Sequence, residues 1–253
     1  MDWNPRDYAR FAGVRLRPAL DLLMQVGPLP EGDVVDLGCG NGAVGPALRQ
    51  RFGDRRIIGV DSSAAMLQEA AQTDAYDALH PQDISDWTGP AALIFSNAAL
   101  HWLPDHAALL PRLVAGLEPG GTLAIQVPHQ NNAPSHRLWR QLAEELFPGR
   151  VDHDHGPGIL LPAAYFHLLE GLGDLRIWET EYYQVLDRVD AGHPVRRFTE
   201  STYARPVLEK LDAAEQARLI ALYEEAIAKV YPAGPDGRVL FPFRRLFITL
   251  KVA

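Results

Sequence analysis

Short apolar runs that end in glycine or polar residues alternate with helix-forming stretches through the first half of the chain. Val34-Val35-Asp36-Leu37 leads into glycines, Ile57-Ile58-Gly59-Val60 into an aspartate, and Ala91–Ser96 into an asparagine. Runs of this kind, apolar on both parities, predict strands of a parallel sheet covered on both faces. A weaker signal at Ala78–His80 and a fifth strand at Thr122–Val127, entered through the turn Glu118-Pro119-Gly120-Gly121, complete the series. Helices are expected at Gly45–Phe52, from a cap at Ser62 or Ser63 to about Gln72, and at Asp105–Leu117. Right-handed crossovers between parallel strands place a ligand site at the strands' carboxyl ends.

The second half reads as more helical. Helices are expected at Ser135–Phe147, Pro162–Leu172 and Asp212–Tyr231, with strands at Leu175–Leu186 and Leu246–Val252. Asp212 and Glu215 form a capping-box-like start, and Ala217, Ile220, Ile227 and Val230 fall roughly on one helix face. No internal repeat or low-complexity linker breaks the chain. The expected organisation is a single domain over residues 1–253. It comprises an N-terminal lid or helix (1–30), a core that binds the ligand (31–128), and a helical cap with the last two strands (129–253).

Composition narrows the function. The chain has 253 residues, 47% of them hydrophobic and 22% charged, so it can bury a core without metal or disulfide staples. Its net charge of −8 argues against a sequence-independent grip on nucleic acid or an anionic membrane. The single cysteine, Cys39, excludes an intrachain disulfide and fits a reducing, cytoplasmic setting. Trp87–Pro104 and Pro119–His136 are uncharged, but Gly, Pro, Ser, Asn, Gln and His interrupt them, which excludes a membrane span. Asp152-His153-Asp154-His155 has the residue types of a metal tract. With flanking glycines and no partner pair, it reads as a solvated loop, and no metal is expected.

The chemistry concentrates around Asp36-Leu37-Gly38-Cys39-Gly40-Asn41-Gly42. A strand that runs into an acid and then into alternating glycines suits a ligand held at a strand–helix turn. Two ligand classes fit. Gly38, Gly40 and Ala43 satisfy a dinucleotide pattern. S-adenosylmethionine fits as well, since Asp36 would repel a pyrophosphate but suits an ammonium or its waters, and the third glycine at Gly42 suits that loop. Asp61, at the end of the second strand, can accept both ribose hydroxyls in either case. Asp83 and Ile84 offer an acceptor and an apolar contact for adenine. Asn97 ends the fourth strand, where a methyl donor's reacting centre would lie. The Cys39 thiol reads as a packing group.

These blocks resemble the class I S-adenosylmethionine-dependent methyltransferases. The similar segments are Gly38–Gly42, Val60-Asp61-Ser62-Ser63 with Met66-Leu67, Asp83-Ile84 and Glu118–Gly121. One branch, the trans-aconitate 2-methyltransferases, is closer still. The chain shares with it Asp2–Pro5 with Tyr8 and Phe11, Arg17–Ala19, Phe95–His106, Pro134–His136, Trp178–Tyr183 and Arg245–Ile248. The resemblance implies a Rossmann-like, seven-stranded, mostly parallel sheet with its last strand antiparallel. It also implies a helical cap and an N-terminal lid. The activity implied is methyl transfer to a carboxylate of a small, anionic polycarboxylic acid, leaving S-adenosylhomocysteine. Cofactor contacts are then expected from Asp36, Gly38, Cys39, Gly40, Gly42, Asp61, Ser62, Met66, Asp83, Ile84 and Asn97. Acceptor contacts are expected from Trp3, Tyr8, Phe11, His101, Trp102, Arg205 and Arg245, with Arg244 and Arg197 as reserves.

Two residues are candidates for the chemistry itself, Asn97 and His101. A carboxylate acceptor is already ionised and needs no base, whereas a hydroxyl or amine acceptor would call on His101. Lysine is confined to three positions, so arginine must bind an anionic acceptor. The chain departs from the family at Ala43–Pro46, at His101 where glutamine is common, at Pro128–Ala133 and at Glu200–Pro206. The rival readings are methylation of a different small molecule or another use of the same cofactor, an NAD-dependent oxidoreductase, and a non-catalytic cofactor-binding protein.

Overall fold

The computed structural model describes residues 16–150, 158–200 and 203–253. They group into two compact units. The first takes residues up to Pro128, with Gly158–Thr180 and Arg245–Ala253; the second takes His129–Pro157 and Glu181–Arg244.

In the first unit the apolar runs become strands β1 (Val34–Leu37), β2 (Ile57–Asp61), β3 (Ala78–Pro81), β4 (Ala91–Asn97) and β5 (Leu117–Pro128). Strands β6 (Asp174–Leu186) and β7 (Val239–Lys251) complete a sheet of order β3-β2-β1-β4-β5-β7-β6. Strands β1 to β5 pair in parallel and β7 runs antiparallel to β5, as the resemblance implied. Helices α1 (Arg17–Gln25), α2 (Gly45–Arg51), α3 (Ala64–Ala71) and α4 (His106–Ala115) lie between or before the strands, and α6 (Pro162–Leu169) follows later. Ser63, not Ser62, caps α3 by accepting the Met66 N–H. The fifth strand starts earlier than the apolar run suggested. Its register steps from Ala91↔Leu117 to Leu93↔Thr122, so the expected turn is a bulge inside β5, with Gly120 at φ +78°.

Side chains alternate across a strand, and here that alternation separates two kinds of surface. Val35, Leu37, Ile58, Val60, Ile94, Ile125, Val127, Leu246 and Ile248 point to one side and join Leu109, Leu113, Tyr165 and Leu169 in a single apolar core. The opposite parity carries Asp36, Asn97, Gln126 and Arg245. Asp36 pairs in register with Phe95, Asn97 with Gln126, and Gln126 with Phe247. Asp36, Asn97, Gln126 and Arg245 therefore share one face of the sheet.

The second unit holds α5 (Pro134–Leu146), α7 (Pro194–Glu200), α8 (Arg205–Leu208) and α9 (Ala213–Val230). The two short helices α7 and α8 carry too little periodicity to be read from sequence. The Asp212–Glu215 capping box at α9 is present in full. Of the expected face Ile227 is buried, together with Leu219 and Tyr223, whereas Val230 is exposed, Ala217 faces solvent and Ile220 is half-buried. An i, i+4, i+8 ridge centred on an aromatic ring was masked by the many alanines of this helix. The core there is aromatic: Trp139 stacks on Tyr223 with centroids 3.8 Å apart and donates its indole N–H to Thr199 Oγ1 at 2.9 Å. Trp139→Ala removes a fully buried ring and its hydrogen bond. The expected loss is about 3–5 kcal/mol, read as a lower denaturant midpoint.

Candidate active site

The glycine loop is built by contacts within the chain as much as by openness. Gly38, Gly40 and Gly42 all have positive φ (82°, 54° and 78°), a region that favours glycine. At Gly38 an added Cβ would sit 2.2 Å from Ala99 Cβ and 2.9 Å from Ile84 Cδ1. At Gly42 it would meet Ala70 and the Tyr76 ring. Only Gly40 of the three opens onto free space, with nothing within 4 Å. Asp61, half-buried at the end of β2, braces the loop: its carboxylate accepts the Gly40 N–H and the Ser63 N–H, each at 2.9 Å.

Asp36 is buried at 1% exposure, and its Oδ2 accepts the Tyr76 hydroxyl at 2.7 Å. The ring of Tyr76 fills a slot that exists because Gly42, Gly45 and Gly59 have no side chains. Burial pushes the Asp36 carboxyl up to about 7, with Asp61 nearby adding to the rise and the Tyr76 hydrogen bond opposing it. The same burial and both carboxyls push the Cys39 thiol up, so it stays protonated and acts as a packing group. Tyr76 was missed in the sequence, where an aromatic residue just before a weak strand carries no motif.

Beyond the loop, Ser62 and Met66 are exposed beside Asp61. Asp83 accepts from both the backbone N–H and the hydroxyl of Ser85, which hold its carboxyl below the usual range. Ile84 lies against Gly38, so the second and third strand ends meet the loop.

A second cluster sits on the polar face at the carboxyl ends of β4 and β5. Asn97 Oδ1, His101 Nδ1 and Gln126 Nε2 are buried with no hydrogen-bond partner among the described residues. Gln126 is 1% exposed and His101 7%. Unmatched buried polar atoms cost roughly 1–3 kcal/mol each, so native proteins rarely keep several together without a use for them. Arg245, half-buried on β7 opposite Pro128, contributes positive charge. Burial, Arg245 and His106 lower the His101 pKa to about 4, so its imidazole is neutral near pH 7. Trp102 stands beside it, 75% exposed, with ring centroids 4.5 Å apart. Gln126 was also missed. A single amide in the run Thr122–Val127 was its only signal, and sequence alone did not say which face it would take.

Arg205 lies in the second unit, exposed and paired with Glu209 at 2.7 Å. Arg197 pairs with Glu200, and Arg244 with Glu181, in the same unit. Trp3, Tyr8, Phe11 and the Asp152–His155 tract fall outside the described residues. Among the described residues, no group of three or more His, Cys, Asp or Glu could hold a metal ion, and no helix is long and apolar enough to cross a membrane.

The buried Asp36 gives stability a distinctive pH dependence. Its folded pKa lies above the unfolded 3.8, so the folded state binds the extra proton between about pH 4 and pH 7. Stability from this group therefore falls as pH rises through that window and levels off above it. His101 acts in the opposite sense, losing stability as pH falls from 6.5 toward 4. The comparison with Asp36→Asn isolates the first effect: wild type is expected to lose on the order of a few kcal/mol relative to the variant across pH 4–7 in urea melts. Parallel curves would contradict it.

Comparison with known proteins agrees with this geometry. A family model described as a methyltransferase domain matches residues 8–160. A relative from Azoarcus sp. named trans-aconitate 2-methyltransferase is 42% identical, over 97% of this chain and 97% of its own. The YcgJ protein of Bacillus subtilis shares the fold with a TM-score of 0.60 at 14% identity, over 93% of this chain and 98% of that one. A phosphoethanolamine N-methyltransferase of Haemonchus contortus, solved with S-adenosyl-L-methionine, shares it with a TM-score of 0.56 at 16% identity. That match covers 98% of this chain and 57% of the Haemonchus chain. The dinucleotide alternative for the glycine loop is thereby set aside: the chain belongs to the methyltransferases and, within them, to the trans-aconitate 2-methyltransferase family.

Proposed function

We propose that the protein transfers the methyl group of S-adenosylmethionine to a carboxylate of a small polycarboxylic acid of the trans-aconitate type, giving a monomethyl ester and S-adenosylhomocysteine. The observation that carries this reading is the set of unmatched buried polar atoms at the ends of β4 and β5, beside the charge of Arg245. When bound, S-adenosylmethionine supplies an electrophilic methyl group on a sulfonium centre.

The residues fit such a ligand. The open space at Gly40 and the ribose acceptor Asp61 lie together, with Met66 and Ile84 offering apolar contact to an adenine. Each Asp61 oxygen spends one lone pair on a backbone N–H and keeps another for a hydroxyl. The unmatched polar atoms divide by sign. Asn97 Oδ1 is an acceptor and suits an ammonium. Gln126 Nε2 is a donor, as is His101 in its Nδ1–H tautomer, and both suit a carboxylate.

The electrostatics favour a carboxylate over a hydroxyl or amine acceptor. A histidine lowered to about 4 is a poor base near pH 7, and a carboxylate needs none. The role left for His101, Gln126 and Arg245 is to hold the acceptor oxygen in place and keep water from it, which converts a bimolecular encounter into an oriented one.

Incubation with S-adenosylmethionine and a panel of small acids, followed by mass analysis, tests the function. A product of trans-aconitate heavier by one methylene is expected, and no methylated acid from any member would overturn the reading. Asp61→Ala is expected to weaken S-adenosylhomocysteine binding by ~1–3 kcal/mol in calorimetry. Gln126→Leu is expected to raise the KM for the acid about tenfold or more, the worth of a hydrogen bond to a charged group, with cofactor affinity unchanged. An unaltered KM would remove Gln126 from the acceptor site.

A further inference from the structure

The second unit carries a positive charge without a counter-charge. Arg140, half-buried on α5, makes no hydrogen bond or ion pair among the described residues. Its guanidinium lies over the Tyr203 ring, 5.1 Å from the centroid. The hydroxyl of that tyrosine is buried and has no hydrogen-bond partner among the described residues. The His136 ring also packs against Tyr203, with centroids 4.4 Å apart. His136 is itself 9% exposed, and burial together with the Arg140 charge lowers its pKa to about 4.

These groups are held in place. His136 Nδ1 is within 2.9 Å of Ser135 Oγ, and the Ser135 carbonyl accepts the Tyr223 hydroxyl at 2.8 Å. Tyr223 stacks on Trp139, so the start of α5 is fixed to the aromatic core of the unit. Four residues separate His136 from Arg140, one helical turn, which puts both on the same face of α5. Several arginines of this unit are neutralised: Arg196 bridges Glu200 and Glu224, Arg197 meets Glu200, and Arg205 meets Glu209; Arg137, Arg188 and Arg218 lie exposed to solvent. Arg140 differs from them in being stacked on an aromatic ring, partly out of water and unneutralised. A planar guanidinium fixed this way, with an unmatched phenol hydroxyl at its side, is matched to a planar anion that accepts from both.

We propose that Arg140, Tyr203 and His136 form a carboxylate-binding site in the second unit. Arg140 supplies the charge and a paired set of N–H donors, the Tyr203 hydroxyl supplies a further donor, and His136 packs against the Tyr203 ring. The occupant is a carboxylate of a small polycarboxylic acid; the choice of that class rests on the proposed reaction, whereas the preference for a planar anion rests on the geometry alone.

Calorimetry on the full chain without cofactor tests the site, with trans-aconitate, tricarballylate and inorganic phosphate as probes. Arg140→Gln is expected to weaken binding of both acids at least tenfold, and Tyr203→Phe several-fold. Arg140→Lys is expected to recover part of the loss. Affinity for S-adenosylhomocysteine and the thermal midpoint stay at wild-type values, as they do in the exposed-neighbour control Arg137→Gln. Acid affinity unchanged in Arg140→Gln, no acid binding by wild type, or phosphate binding as tightly as the acids would each overturn the proposal. The two readings fail separately. Arg140-dependent acid binding without methylated product supports the site and rejects the proposed reaction; product formation with calorimetric acid affinity unaltered in Arg140→Gln does the reverse.

Discussion

A sheet strand has two faces, and everything that the first unit does follows from how this chain uses them. Residues of one parity at the centre of the sheet are apolar from Val35 and Leu37 through Ile94 and Ile125 to Ile248, apart from Ser96, whose buried hydroxyl donates to the Leu37 carbonyl. That face makes the core and leaves the other free to carry Asp36, Asn97, Gln126 and Arg245 at or near the strand ends. A one-residue slip in the pairing of β4 or β5 would turn Asn97 or Gln126 into the core and that strand's aliphatic residues out of it. Register is thus the constraint that turns scattered polar residues into a site.

The site's two halves are made by different means. The glycine loop is rigid because its own neighbours fill it: Ala99 and Ile84 crowd Gly38, Tyr76 occupies the slot beside Gly42, and Asp61 ties Gly40 and Ser63 to the end of β2. Glycine at 38 and 42 serves close packing, and only Gly40 leaves room on the outside. The cluster at the ends of β4 and β5 is the reverse case, a place where Asn97 Oδ1, His101 Nδ1 and Gln126 Nε2 are buried without a partner among the described residues. Preorganised donors that await an anion are costly to fold around and effective once it arrives.

The sequence made most of the sheet legible because buried parallel strands are apolar on both parities and end abruptly. The loop at Gly38–Gly42 and the acid at Asp61 were legible for the same reason, since both stand at such ends. What stayed hidden was long-range. Tyr76 matters through contact with Asp36, forty residues away, and no local pattern announces it. The role of Gln126 depends on which way one amide faces, a fact of register rather than composition. Arg205 was singled out because it survives in a recognisable segment, yet the structure places it in solvent with Glu209, while Arg140, inside an unremarkable helix, is half-buried over an aromatic ring with no carboxylate partner among the described residues.

A crystal structure of the protein soaked with S-adenosylhomocysteine and trans-aconitate tests the central claim most directly. The account expects a carboxylate of the acid within hydrogen-bond distance of Gln126 Nε2 and His101, on the sheet face that also bears Asn97 and Arg245. Acid bound elsewhere, with those buried polar atoms still unmatched, would contradict it.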